Sequence, residues 1–150
     1  MEKKRETGRI VAILLLLAYF LLLAYLLFFS STYGRTLEMD YRYNLKPFFE
    51  IRRGLEHIDA VGFHYVVVNI AGNIVAFMPF GFLLPLVSER RMHFGKILGY
   101  SFLLTLCAES IQLISRTGAF DVDDLLLNTV GGLMGYWCYV ILCGRRRKNL

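Results

Sequence analysis

Three aspartates fall within four residues, at Asp121, Asp123 and Asp124, and Asn128 follows one helical turn after the last. Upstream, Glu109 and Gln112 stand three apart, so they share a helix face, and Arg116 extends it by another turn. Asn69 and Asn73 form a further amide pair at i, i+4 spacing. Grouped carboxylates suit proton transfer, oxygen ligation of Mg²⁺ or Ca²⁺, or capture of cationic and hydroxyl groups. The aspartates do not follow the twelve-residue calcium-loop pattern, so no metal and no cofactor is expected. Nucleophile candidates are poor: Ser110 and Ser115 lack a nearby sequence partner, and His57 and His64 stand alone. If the chain were an enzyme, Glu109, Asp123 and Asp124 would be its acid-base groups.

The segments that must position these groups are apolar. Hydrophobic residues make up 56% of the 150-residue chain and charged residues 19%. Residues 10–29 form an uninterrupted apolar run of about the 20 residues that a helix needs to cross a bilayer. Residues 66–87, 97–114 and 125–143 have similar lengths but carry Asn, Glu, Gln, Gly or Pro. The expectation is one all-α membrane domain over residues 1–150, with four transmembrane helices at these positions. Residues 10–29 read as a retained signal-anchor, because the run exceeds a usual signal core and no clear small-x-small cleavage site follows.

Lys and Arg set the expected orientation. The leader 1–9 holds Lys3, Lys4, Arg5 and Arg9; the loop between the second and third spans holds Arg90, Arg91 and Lys96; the tail 144–150 holds Arg145, Arg146, Arg147 and Lys148. The connection between the third and fourth spans has only Arg116 against three aspartates, and the basic residues of loop 30–65 are balanced by acidic ones. Both termini are therefore expected in the cytoplasm, with the polar cluster near the outer face of the inner membrane. Basic residues that flank spans orient the chain and meet anionic lipid, so the net charge of +5 does not suggest nucleic-acid binding. Cys107, Cys138 and Cys143 lack metal-ligand spacing and read as small buried hydrophobes.

Along the chain, the first helix is Leu-rich, with Tyr19 and Tyr25 its only polar tips, and reads as a peripheral, lipid-facing anchor. In loop 30–65, the stretch from Asn44 to Phe49 mixes apolar, aromatic and basic groups, which suits either the headgroup zone or a solvated connector. The second helix carries Asn69, Gly72, Asn73 and Ala76 on one face, then Pro79, Gly81 and Pro85, which shape a kinked, cavity-lining segment. In the fourth, Asp121, Asp124, Asn128, Gly131, Gly135 and Cys138 follow one helical stripe. Asp121 or Asp123 would cap its start, and Gly131 with Gly135 offers a close-packing surface to another helix or a second copy.

These residues resemble the VanZ family of small bacterial membrane proteins, named for a component associated with teicoplanin resistance. The resemblance rests on Asn44-Leu45-x-Pro47-Phe48, on Asn69, Asn73, Phe77, Pro79, Gly81 and Pro85 in their order and spacing, and on Glu109-x-x-Gln112. It continues through Asp121-x-Asp123-Asp124-x-x-x-Asn128 and Gly131, Gly132 and Gly135, so it covers roughly residues 44–136. It implies a multi-pass cell-envelope protein linked to glycopeptide susceptibility, and it supplies no reaction.

Buried polar groups in a membrane must be paired or face water. One reading makes the cluster a hydrogen-bonded clasp between helices, with Arg116 neutralising a carboxylate. Measured interhelical bonds average only about 0.6 kcal/mol, so adhesion alone poorly accounts for so many costly groups. A second makes Asn69, Asn73, Glu109, Gln112, Arg116, Asp121, Asp123, Asp124 and Asn128 a ligand site. Its ligand would be a lipid-linked cell-wall intermediate, a glycopeptide or a related polar lipid, with membrane lipids as standing partners. Carboxylate catalysis on a lipid-linked substrate and proton- or cation-coupled transport are the remaining alternatives.

Overall fold

The computed structural model describes residues 2–28, 41–88 and 91–143. Arg90, the charged residues between 35 and 40, and the tail 144–150 lie outside the described residues. Within them run α1 (Glu2–Phe28), β1 (Tyr43–Asn44), α2 (Phe49–Glu56), α3 (Ile58–Val61), α4 (Phe63–Val87), α5 (Phe94–Ser115), β2 (Phe120–Asp121) and α6 (Val122–Cys143). The four long helices α1, α4, α5 and α6 are each long and apolar enough to cross a membrane, which makes the chain an all-α membrane bundle. Three of them begin about one turn before the apolar runs suggest, and Asp123 and Asp124 consequently sit inside the first turn of α6.

Glycine sets the core of this bundle. A β-carbon on Gly131 would fall on the Ile74 carbonyl, one on Gly135 on the Met78 carbonyl, and one on Gly81 on the Gly132 carbonyl. Helices α4 and α6 therefore lie backbone to backbone, running the same way, as small residues permit in a bilayer. The glycines of α6 are thus used within the chain. On the other side of α6, Gly132 abuts the Ser101 hydroxyl of the antiparallel α5.

The first helix is peripheral as expected, with Leu14, Leu17 and Leu21 exposed, but one stripe of it packs inward. Ala12, Tyr19 and Leu23 are buried, and Tyr19 and Leu23 join Phe77, Phe80 and Leu83 of α4 in one apolar cluster. The Tyr19 hydroxyl donates to the Ala76 carbonyl at 3.0 Å. Pro79 leaves the Val75 carbonyl without its helical donor, and the tyrosine bonds the next carbonyl along, in the turn that the proline disturbs. A groove of about 520 Å³, lined by residues such as Leu15, Ala18, Pro79 and Gly135, lies between α1, α4 and α6. The cysteines are also not buried as expected: Cys107 is exposed, and Cys138 and Cys143 are half-buried.

Residues 41–62 form more than a connector. Strand β1 pairs in parallel with β2, aligning Tyr43 with Phe120 and Asn44 with Asp121. Helices α2 and α3 follow and pack against the start of α4. Two ion pairs, Glu50–Arg53 and Arg52–Glu56, each at 2.6 Å, support α2 at helical spacing.

Candidate functional site

The three aspartates point in three directions. Asp121 accepts the Asp123 N–H at 2.8 Å and the Asn44 side-chain amide at 3.1 Å, so it caps the start of α6 and fastens β1 to β2. Asp123, 1% exposed, turns the other way. Its carboxylate accepts the backbone N–H groups of Phe48, of Glu50 at 2.9 Å and of Ile51 at 3.2 Å. Asp123 therefore caps α2, some seventy residues earlier, and not its own helix. Phe48 has the left-handed φ of 62°, a conformation that costs an aromatic residue on the order of 1–3 kcal/mol, and the Asp123 bond holds its amide there. Asp124 accepts the Asn73 amide at 2.5 Å, and the same amide reaches Asn69 at 3.4 Å.

Glu109 is buried on α5, where it accepts the Asp121 N–H at 3.1 Å. Gln112 is buried one turn on and donates to the Leu27 carbonyl at 3.0 Å, tying the end of α1 to the end of α5. Arg116 takes a left-handed φ of 57° at the end of α5 and places its guanidinium 4.8 Å from the Tyr41 ring centroid. Asn128 lies deeper, fully enclosed, donating to the Thr105 hydroxyl at 2.9 Å. Thr105 and Ser101 were not among the candidates from sequence. Their signal was present: Ser101, Thr105, Glu109 and Gln112 fall at i, i+4, i+8 and i+11, one polar stripe on an apolar helix. Ser101 Oγ and Asn128 Oδ1 have no hydrogen-bond partner among the described residues.

The polar groups at this end thus make two sets. Glu109, Gln112, Asp123 and Asn128 are enclosed, whereas Asn69, Asn73, Asp121 and Asp124 are half-buried. Asn69 also lines a cavity of about 360 Å³ between α2, α3 and the start of α4. Glu50, Arg53 and His57 on one side face Tyr65, Val66 and Ile70 on the other. His57 directs Nδ1 at the Arg53 carbonyl, 3.1 Å away. Glu50, Arg53 and Tyr65 escaped the sequence reading because contacts distant in sequence, the Asp123 cap among them, bring α2 over α4. Burial raises the Asp121 carboxyl above the usual carboxylate range, and the nearby Asp123 and Glu50 charges push the same way against the hydrogen bonds it accepts. Among the described residues, no three His, Cys, Asp or Glu side chains converge as a metal site would require.

Four apolar helices, a glycine-lined crossing and a polar end braced by carboxylates define a small multi-pass membrane protein. Residues 16–143 match the VanZ/LLP1 family, and the chain belongs to it. It is 32% identical over 135 residues to Protein VanZ of Enterococcus faecium, an alignment spanning 88% of this chain and 75% of that protein. No solved structure matches it.

Proposed function

We propose that this chain binds a cell-envelope ligand at the outer face of a bacterial cytoplasmic membrane, with both termini inside, and thereby modulates glycopeptide susceptibility. The observation that carries this reading is the cavity between α2 and α4, where charged and amide groups meet the wall of a membrane helix. A ligand there would set its polar part against Glu50, Arg53, His57 and Asn69, and its apolar part against Val66 and Ile70. The buried carboxylates serve the site from behind: Asp123 fixes the cavity roof α2, and Asp124 fixes Asn73 beside Asn69. Glu109 and Asp123 each accept backbone N–H groups, which favours positioning over acid-base work and a binding role over catalysis. The Lys and Arg distribution supports the orientation.

The test is binding and phenotype together. Reconstituted protein is expected to bind a lipid-linked cell-wall intermediate or teicoplanin saturably, and its expression to lower teicoplanin susceptibility. Asp124→Asn and Asn69→Ala should weaken both effects. No saturable binding, with susceptibility indifferent to Glu109 and Asp124 substitutions, would sink the reading.

A further inference from the structure

The lining of the cavity under α2 carries one unit of each charge, already paired: Arg53 Nη2 lies 2.6 Å from Glu50 Oε2. The Glu50 side chain is 26% exposed and the Arg53 side chain 58%, so the pair is neither sealed nor fully in water. A purely anionic ligand that engaged Arg53 would strand Glu50, and a purely cationic one would strand Arg53. A ligand bearing both signs can replace the pair and leave neither charge alone.

The opposite wall adds a donor. Asn69 receives the Asn73 amide on its oxygen, which leaves its own amino group as a donor in the lining of the same cavity. His57 stands about two helical turns from Glu50, beyond Arg53, and its Nδ1 is directed at the Arg53 carbonyl, so Glu50 is the acceptor for a cation. Arg53 and Asn69 therefore match an anionic oxygen group, and Glu50 matches an N–H-bearing cation. Val66 and Ile70 belong to the membrane-crossing α4, so the ligand continues into hydrocarbon.

Resting on the binding reading above, we propose that the cavity takes the headgroup of a zwitterionic phospholipid with a primary ammonium, phosphate toward Arg53 and Asn69, ammonium toward Glu50. Because the acceptor requires N–H donors, a trimethylammonium headgroup binds less well than a primary one.

The experiment is native mass spectrometry of the full-length protein in micelles holding equal traces of phosphatidylethanolamine, phosphatidylcholine, phosphatidylglycerol and a sugar-headed diacylglycerol with matched acyl chains. Phosphatidylethanolamine is expected to be retained roughly tenfold over the others, the scale of one charge-assisted hydrogen bond. Glu50→Gln should remove that preference while sparing phosphatidylglycerol; Arg53→Gln should lower both. Both variants keep the α2 cap, which uses the Glu50 backbone N–H and not its side chain. Equal or better retention of phosphatidylglycerol or the sugar lipid by the unsubstituted protein overturns the proposal, as does an unchanged preference in Glu50→Gln. Displacement by soluble glycerophosphoethanolamine at equal concentration overturns its lipid part. Saturable binding of a cell-wall intermediate without headgroup preference removes this inference and leaves the binding reading standing; binding of neither removes both.

Discussion

The two faces of α4 are built on opposite principles. Toward α6, glycine α-carbons meet backbone carbonyls directly, and no side chain separates the backbones at Gly81, Gly131 and Gly135. Toward α1, the contact is made by Tyr19, Leu23, Phe77 and Phe80, beside a groove of about 520 Å³. Asn73–Asp124 and Phe82–Tyr139 join α4 and α6 elsewhere, but at these glycines no side chain can change rotamer, so an added atom must move a helix. A seam of large side chains beside open space can adjust. The difference predicts that tolerance to substitution is set by which face of α4 a residue meets, more than by its depth in the membrane.

The sharpest way to break this comparison is Gly131→Ala, where one methyl would occupy the place of the Ile74 carbonyl. A loss on the order of 3 kcal/mol or more is expected, toward the upper end of overpacking costs. It would be read as failure to recover folded protein or a steep fall in thermal stability; a near-neutral result would end the argument. Asp123→Ala comes next. It strips three backbone N–H groups of their acceptor, and about 2 kcal/mol and fast amide exchange confined to α2 are expected. The α4–α6 seam should be unmoved, and exchange spreading into α6 would show that cap and seam are one unit.

On the adaptable face, Tyr19→Phe removes a single bond to Ala76 and should cost about 1 kcal/mol, within the range measured for interhelical bonds in membranes. A loss as large as that of Gly131→Ala would erase the contrast between the two faces. The smallest effect belongs to Asp121→Asn, within about 0.5 kcal/mol near neutral pH, because asparagine also caps helices and its oxygen can accept both existing bonds. Its signature is pH dependence. With the Asp121 carboxyl raised in the fold, the folded form holds more protons between the ordinary carboxylate value and the raised one. This group's contribution therefore improves as pH falls through that window and worsens as pH rises through it. Unfolding midpoints measured across the window should show that slope in the native chain and lose it in Asp121→Asn.

Much of this was legible before any coordinates. The four spans follow from apolar run length, and the small-residue stripe on α6 from helical spacing at Gly131 and Gly135. The gathering of polar residues at one end follows from the alternating direction of the spans. What was not legible is where side chains separated by many residues meet. Asp123 looks like a cap for the helix it begins, and nothing local reveals that its acceptors serve Glu50 and Ile51. Tyr19 looked like one polar tip in a run of leucines, because its partner is a carbonyl beside a proline more than fifty residues away. In the sequence Asn44 is only part of a motif, and its role appears once β1 lies against β2.

The Asp123 cap also bears on the order in which the molecule is made. Helix α2 has eight residues, too short to hold together in water unaided, and the carboxylate that caps its start belongs to α6, much later in the chain. Translation reaches Asp123 some seventy residues after residues 48–51 have been made. The roof of the cavity therefore gains its cap only once α6 has been made and has packed beside α2. A chain with α6 misplaced would leave those N–H groups without their acceptor, so the state of the cavity reports whether α6 is in place.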